Sequence, residues 1–158
     1  MKEVVIVGGV RTPIGGHGGA FRTLTAQHLA ALVFREVIER VGIDPLLFDD
    51  VLLGCIGQQS DAVNIGRVAG LLAGVPVNVP GYTEQRNCVS GMQPITSACQ
   101  AIQPGDGDVF LCGGTESMST SPYVVRGARW GLKLRHDTLV DTLWEGLNDP
   151  VCNMMMGY

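Results

Sequence analysis

Short apolar runs and amphipathic segments alternate along most of this chain, and this order restricts the possible folds more than any other feature. Each apolar run is bounded by glycine or turn residues, which is typical of strands buried on both faces. The segments between them carry apolar residues at three- and four-residue steps, as helices packed on one side do. The alternation predicts an α/β domain with a mostly parallel sheet. The predicted strands are 4–7, 51–56, 82–86 and 109–112, and the predicted helices are 26–41, 64–73 and 89–103.

The ends of the predicted helices carry capping signals. Thr25 precedes the first helix as a possible N-cap, and Gly42 and Gly74 follow the first and second helices as C-caps. Pro94 falls near the first turn of the third helix, where an N–H has no intrahelical partner. After Thr120 the periodicity weakens, so we expect the remaining residues to leave the sheet domain.

Composition narrows the classes of function. Hydrophobic residues make up 46% and charged residues 16% of the chain, with a mean hydropathy of +0.22. Either both faces of the sheet are covered, or apolar surface is kept for a partner or for further sequence. A net charge of −4 and the lack of a long basic run exclude nucleic-acid binding. No apolar run approaches the roughly 18 residues of a membrane span, and the start does not resemble a signal peptide, so we expect a cytoplasmic protein.

The cysteines predict free thiols in a reducing compartment rather than a disulfide framework. Their number is odd, they are scattered, and no CxxC motif occurs. The three histidines are also far apart and lack the spacing of metal ligands, so no metal site is expected. The cysteines are Cys55, Cys88, Cys99, Cys112 and Cys152.

A glycine-rich loop over residues 8–19 suggests nucleotide binding at first sight. A phosphate-binding loop of the Walker type needs Gly-Lys-Ser/Thr, which is absent. A dinucleotide fingerprint opens a helix directly after the strand, whereas here Pro13 forces the residue before it towards an extended conformation. These glycines therefore predict tight turns and close backbone packing.

Cys88 lies where a strand is predicted to end and a helix to begin. The start of a helix favours a thiolate over a thiol, and the small residues Ser90 and Gly91 would leave room for a substrate carbonyl and for backbone donors. This is the arrangement of a nucleophile elbow with Cys in place of Ser. A buried structural cysteine is the alternative, and the local pattern leaves both open. Cys99 and Cys112, within a helix and at the end of a strand, are predicted to be structural.

Several segments together resemble the N-terminal half of a thiolase. "VRTPIGGHGGAF" resembles the opening motif of that family, and "RNCVSGMQ" resembles the motif around its nucleophile. "GDGDVFLCGGTESMSTSPY" resembles the signature with Gly-Gly-x-Glu-Ser-Met-Ser, and "LVDTLWEGLNDP" resembles the segment that follows it. The similarity runs through essentially the whole chain in order.

The resemblance implies a thiolase-like βαβαβ layered domain. Members of the family have two similar halves, with a CoA-binding loop region inserted in the first. On this sequence, residues 1–119 would form the N-terminal α/β domain without its last strand, and residues 120–158 would begin the insertion. The sequence would then stop inside that insertion, as a truncated chain.

The resemblance also implies an activity. Thiolases condense two acyl-CoA molecules or cleave a 3-ketoacyl-CoA with free CoA, a reaction of fatty acid metabolism, through an acyl-cysteine. Cys88 would carry the acyl group, and Leu147 and Met155 would line the CoA or acyl pocket. Coenzyme A would be a substrate, no covalently bound cofactor is expected, and the assembly would be a homodimer or a homotetramer.

Departures from the family pattern concern the nucleophile and its surroundings. Gln85 stands where the family commonly has Asn, Val89 is bulkier than the usual residue, and Met155 replaces a His of many relatives. The Gly-His-Pro base and the Cys-Gly-Gly-Gly cysteine are absent, so we expect the chain alone to be inactive. Two alternatives remain: a non-catalytic dimerising or scaffolding fragment, and a ketoacyl-synthase-like condensing enzyme, against which "GGTESMS" argues.

Overall fold

A three-stranded parallel sheet forms the centre of the computed structural model, which describes residues 2–132, 134 and 136–157. Its strands are β1 (Asp50–Gly54), β2 (Gly81–Glu84) and β3 (Phe110–Gly114), in the order β2-β1-β3. Both pairings are parallel, which confirms the predicted sheet type. The carboxyl ends of all three strands therefore lie at one edge of the sheet.

Helices cover both faces of this sheet. The first two, α1 (Ala26–Val41) and α2 (Ile65–Ala73), pack together over the face that carries Val51 and Leu53. The third, α3 (Gln93–Ile102), packs against β1 and β3, and Cys112 on β3 donates from its thiol to the Pro94 carbonyl. The layered α/β prediction is confirmed.

The capping predictions are confirmed for the glycines. Gly42 and Gly74 end α1 and α2 with φ of 68° and 96°, in the left-handed region where a side chain is disfavoured. Thr25 stands at the N-cap of α1 but makes no side-chain cap bond; its hydroxyl pairs with the His28 ring nitrogen instead, at 2.7 Å.

Residues 4–7 do not form the predicted strand. Val5, Ile6 and Val7 are 69%, 77% and 78% exposed, and no strand hydrogen-bonds to them in the part of the chain that the structure describes. A strand exists only with a partner that completes its ladder, and apolar character alone supplies none. The prediction from periodicity was therefore wrong for this chain.

The third helix begins later than predicted. Its sequence pattern starts at Val89, whereas α3 starts at Gln93. Pro94 has no N–H to give to the carbonyl of Ser90, so the regular ladder cannot extend back through that position. Residues 89–92 instead form a turn in which the N–H groups of Met92 and Gln93 donate to the Val89 carbonyl.

Alanines and one phenylalanine form most of the buried face of α1. Ala26, Ala30 and Phe34 are buried, while Leu32, which the periodicity places on the core face, is 50% exposed. Alanine allows the close approach between α1 and α2 that a leucine would prevent.

Beyond the sheet the chain forms small antiparallel ladders. Strand β4 (Tyr123–Val125) pairs with β5 (Leu139–Asp141), and β6 (Asn148–Asp149) pairs with β7 (Met154–Met155). A short helix, α4 (Thr142–Gly146), joins the two ladders. The sequence predicts departure from the sheet domain here but not these pairings. No helix in the described ranges is long and apolar enough to cross a membrane.

Candidate acyl-transfer site

Cys88 lies on a tight turn between β2 and α3 and is exposed. The turn is closed by the N–H of Val89, which donates to the Arg86 carbonyl at 3.2 Å, and by the N–H of Ser90, which donates to the Asn87 carbonyl at 3.0 Å. Asn87 has a φ of 48°, in the left-handed region that residues other than glycine adopt infrequently. The sequence thus places Cys88 correctly at a strand-to-helix turn, on a backbone that is held in an unusual conformation.

Ser90 differs from its expected surroundings. The sequence predicts open space at this position, whereas the residue is 4% exposed and its hydroxyl has two partners. The Arg86 N–H donates to it at 2.8 Å, and the hydroxyl donates to the Asn87 carbonyl at 2.6 Å. The side chain therefore holds the turn from inside and does not line an empty pocket.

Glycines seat this turn on the ends of two strands. A Cβ atom on Gly54, the last residue of β1, would overlap the Ser90 carbonyl. A Cβ atom on Gly114, the last residue of β3, would lie 2.6 Å from the Cα of Gly91. Backbone contact of this kind tolerates no side chain, so the turn rests directly on the carboxyl edge of the sheet.

Glu116 organises the neighbouring loop at the same edge. Its carboxylate accepts the N–H groups of Ile56 at 2.9 Å and Gly57 at 3.1 Å, in the loop that follows β1. Burial, together with this nearby carboxylate, raises the pKa of the Cys55 thiol to about 12. Cys55 is fully buried and remains protonated at neutral pH, so it is not a candidate nucleophile.

Cys112 also fits the structural role predicted for it. Burial, with the Glu84 carboxylate nearby, raises the pKa of its thiol to about 12. Cys152, by contrast, is exposed, like Cys88. All five thiols are free. Two of them are exposed, and the others are wholly or partly buried.

Leu147 and Met155 belong to one hairpin, formed by β6 and β7, but they are not paired with each other. Asn148 pairs with Met155, and the N–H of Met156 donates to the Leu147 carbonyl at 2.8 Å. Leu147 is 37% exposed and Met155 is half-buried. Within the described ranges, no hydrogen bond connects this hairpin to the turn that carries Cys88.

A basic partner for Cys88 is not found among the described residues. His28 pairs with Thr25, and His17 lies near Asp141, in the ladder of β4 and β5. Over the same residues, no group of three or more possible ligands could hold a metal ion. Among the described residues, the site therefore offers an accessible thiol and backbone N–H groups.

Sequence reasoning identified Cys88 but not the residues that hold it. Gly54 lies inside the predicted strand 51–56 and carries no signal of its own in the sequence. Glu116 and Gly114 belong to the recognised signature, and their place in it marks them without revealing their contacts. Ser90 was predicted to leave room beside the cysteine, because nothing in the sequence shows that its hydroxyl turns inward to Arg86 and Asn87.

Comparison with known proteins agrees with this geometry. Residues 4–158 match the family described as "Thiolase, N-terminal domain". The chain is 36% identical to an acetyl-CoA acetyltransferase of Syntrophomonas wolfei and 42% identical to the mitochondrial 3-ketoacyl-CoA thiolase of Bos taurus, over 99% of its own length in each case. It spans 40% of the length of these two relatives.

Solved structures give the same result for the fold. The crystal structure of the Bacillus anthracis acetyl-CoA acetyltransferase aligns with a TM-score of 0.92 and 47% identity, over 97% of this chain and 39% of that one. Human mitochondrial 3-ketoacyl-CoA thiolase in complex with CoA aligns with a TM-score of 0.89 and 38% identity, over 95% of this chain and 39% of that one. The chain belongs to the thiolase family, in which it corresponds to the N-terminal domain.

Proposed function

We propose that this chain supplies the acyl-accepting cysteine of a thiolase reaction, and that Cys88 is that cysteine. The observation that carries the proposal is that Cys88 presents an exposed thiol on a turn that is held in place. The turn is held by the buried Ser90 and by backbone contacts with Gly54 and Gly114. The relatives named acetyl-CoA acetyltransferase and 3-ketoacyl-CoA thiolase support acyl-CoA as the substrate class.

The proposed chemistry has two steps. The Cys88 thiolate attacks the carbonyl carbon of an acyl-CoA, the C–S bond to coenzyme A breaks, and the CoA thiolate leaves, giving S-acyl-Cys88 and free CoA. In the condensing direction, the α-carbanion of a second acyl-CoA attacks this thioester and forms a C–C bond, which releases the Cys88 thiolate and a 3-ketoacyl-CoA. Thiolysis is the reverse of both steps, and in either direction the reaction would serve fatty acid metabolism.

Unused backbone donors in the turn that carries Cys88 suit the charged intermediate of this attack. The N–H groups of Val89 and Ser90 are used in the turn, whereas the N–H groups of Cys88 and Gly91 donate to no acceptor in the described part of the chain. A free N–H beside a reacting carbonyl stabilises a developing oxyanion. The proton transfers need a base, and neither the Gly-His-Pro motif of the family nor a basic partner for Cys88 among the described residues supplies one, so this chain alone is proposed to accept an acyl group without turning over.

The hairpin of β6 and β7 is the proposed contact for coenzyme A. Leu147 and Met155 both belong to this hairpin and are partly exposed, and a neighbour in the fold comparison was solved in complex with CoA. On this reading residues 1–119 are the catalytic domain and residues 120–158 begin the CoA-binding region. Coenzyme A is then a substrate, and no covalently attached cofactor takes part.

We further propose that the protein assembles as a homodimer or homotetramer and that it is located in the cytoplasm. Exposed apolar residues along 5–7 and on α3, such as Ile95, support burial against further protein. The five free thiols support a reducing compartment.

Mass spectrometry after incubation with acetyl-CoA tests the proposal. We expect one acetyl group per wild-type chain, none on Cys88→Ala, and an unchanged adduct on Cys152→Ala, which removes the other exposed thiol. An adduct that survives Cys88→Ala would contradict the assignment.

The same experiment decides the second candidate, a non-catalytic scaffolding domain. That alternative is favoured by the exposed apolar residues 5–7 and by the absence of the Gly-His-Pro motif from the sequence. A wild-type chain that takes up no acetyl group but still associates with itself would support the scaffold and contradict acyl transfer.

A further inference from the structure

Ser90 occupies an unusual place relative to Cys88: it is buried while the cysteine two residues earlier is exposed. Its hydroxyl connects the two residues that precede the cysteine. It accepts the Arg86 N–H at 2.8 Å and donates to the Asn87 carbonyl at 2.6 Å. The backbone that leads into Cys88 is thus held by two hydrogen bonds to a buried side chain.

The backbone conformation that Ser90 grips needs support. Asn87 adopts a φ of 48°, which a residue with a side chain leaves readily unless its surroundings hold it. The Asn87 carbonyl accepts both the N–H and the hydroxyl of Ser90, at 3.0 and 2.6 Å. Two hydrogen bonds to one carbonyl fix the orientation of the peptide between Asn87 and Cys88.

Ser90 is itself anchored to the sheet. Its carbonyl lies against Gly54 at the end of β1, and the next residue, Gly91, lies against Gly114 at the end of β3. A rigid connection therefore runs from the sheet through Ser90 to Asn87 and on to Cys88. The sulfur takes its direction from this connection, because its own side chain makes no hydrogen bond in the described part of the chain.

We infer that Ser90 is a positioning residue for acyl transfer: its hydroxyl sets the direction of the Cys88 sulfur without touching the reacting atoms. The inference rests on the proposed function, since it assumes that Cys88 attacks a thioester. Attack on a thioester carbonyl within a bound acyl-CoA has strict distance and angle requirements, and a small displacement of the nucleophile slows it severely. Alkylation by iodoacetamide, a small reagent that approaches freely, has much weaker requirements.

The test compares these two reactions on Ser90→Ala in the 158-residue chain. Acetylation by acetyl-CoA and alkylation by iodoacetamide are both mapped to individual cysteines, with the exposed Cys152 as the internal reference. We expect Ser90→Ala to slow acetylation of Cys88 about tenfold or more while alkylation of Cys88 stays within about twofold of wild type. Cys55, with a pKa raised to about 12 by its burial, should remain unmodified if the variant is folded.

Two further variants separate positioning from packing. Ser97→Ala removes a serine from α3 that accepts a hydrogen bond from Gln93, and it should leave both reactions unchanged. Ser90→Thr keeps the hydroxyl and should restore most of the acetylation rate. If Ser90→Ala proves unfolded, a folded Ser90→Thr that is acetylated no better than Cys152 would overturn the inference.

The outcomes also distinguish this inference from the proposed function. Acetylation of Cys88 at equal rates in wild type and Ser90→Ala would overturn the positioning role alone. An equal loss of acetylation and alkylation would do the same, because it would indicate general loosening of the turn. A wild-type chain that is not acetylated at Cys88 would overturn both.

Discussion

The turn that carries Cys88 and the hairpin of β6 and β7 are the two proposed halves of one site, yet they are built very differently. The turn rests on the sheet through glycine contacts and through a serine that is only 4% exposed. The hairpin pairs two residues with two, and Leu147 and Met154 on it are 37% and 52% exposed. One half is fixed by packing, whereas the other is held by a few exposed backbone bonds.

This difference indicates how precisely each part of the proposed site is held in place. A nucleophile must be placed within a fraction of an ångström, and the contacts that place Cys88 lie within residues 54–114. A surface that contacts an apolar part of a substrate tolerates looser placement. We therefore expect changes under the turn to have large effects on stability and changes on the hairpin to have small ones.

The largest effect is expected from Gly54→Ala. Its Cβ would overlap the carbonyl of Ser90, a backbone group that cannot move away as a flexible side chain could. We expect the free energy of unfolding to fall by about 2 kcal/mol or more, measured by urea denaturation.

Gly146→Ala is the matched control for that substitution. A Cβ on Gly146, within α4, meets no atom within 4 Å, so we expect stability to change by less than about 1 kcal/mol. An equal loss of unfolding free energy in the two variants would show that the turn is packed no more closely than α4.

An intermediate effect is expected from Met155→Ala, on binding rather than stability. Loss of apolar contact should weaken binding of CoA about three- to tenfold, measured by calorimetry. The reason is that burial of the methionine side chain against CoA would contribute about 1 kcal/mol of binding free energy. Met154→Ala is the control, since successive residues of a strand point to opposite sides. If Met154→Ala weakens binding as much as Met155→Ala, the proposed contact is wrong.

The smallest effect is expected from Asp149→Ala. The N–H of Val151, at 2.7 Å, and that of Cys152, at 3.1 Å, hold the pKa of this carboxyl below its ordinary value of 3.8. A lowered pKa stabilises the folded chain above that ordinary value, and the stabilisation is lost as the pH falls through the folded pKa. Thermal unfolding should show a slightly lower Tm for the variant at pH 7, and this difference should shrink as the pH falls below 3.8.

Glu39→Ala, a change at an exposed position of α1, provides the reference for that comparison. A Tm difference for Asp149→Ala that persists unchanged at low pH would mean that the charge of Asp149 does not hold the hairpin.

The sequence predicted well wherever short-range rules decide the outcome. Gly42 and Gly74 end their helices as expected, because a left-handed C-cap depends on one residue. Residues 4–7 were predicted wrongly, because a strand depends on a partner that periodicity does not reveal. Cys88 was located through its turn and its family motif, whereas the burial of Ser90 arises from contacts with residues more than thirty positions away along the chain, at Gly54.

Reversible acylation of Cys88 tests the central claim most directly. The acetylated chain would be freed of acetyl-CoA, mixed with free CoA and followed by mass spectrometry, with acetyl-CoA measured in solution. We predict that the acetyl group leaves Cys88 and appears on CoA faster than from any acetylated Cys152. An acetyl group that stays on Cys88, or that leaves Cys152 equally fast, would contradict the assignment of Cys88 as the acyl-transfer cysteine.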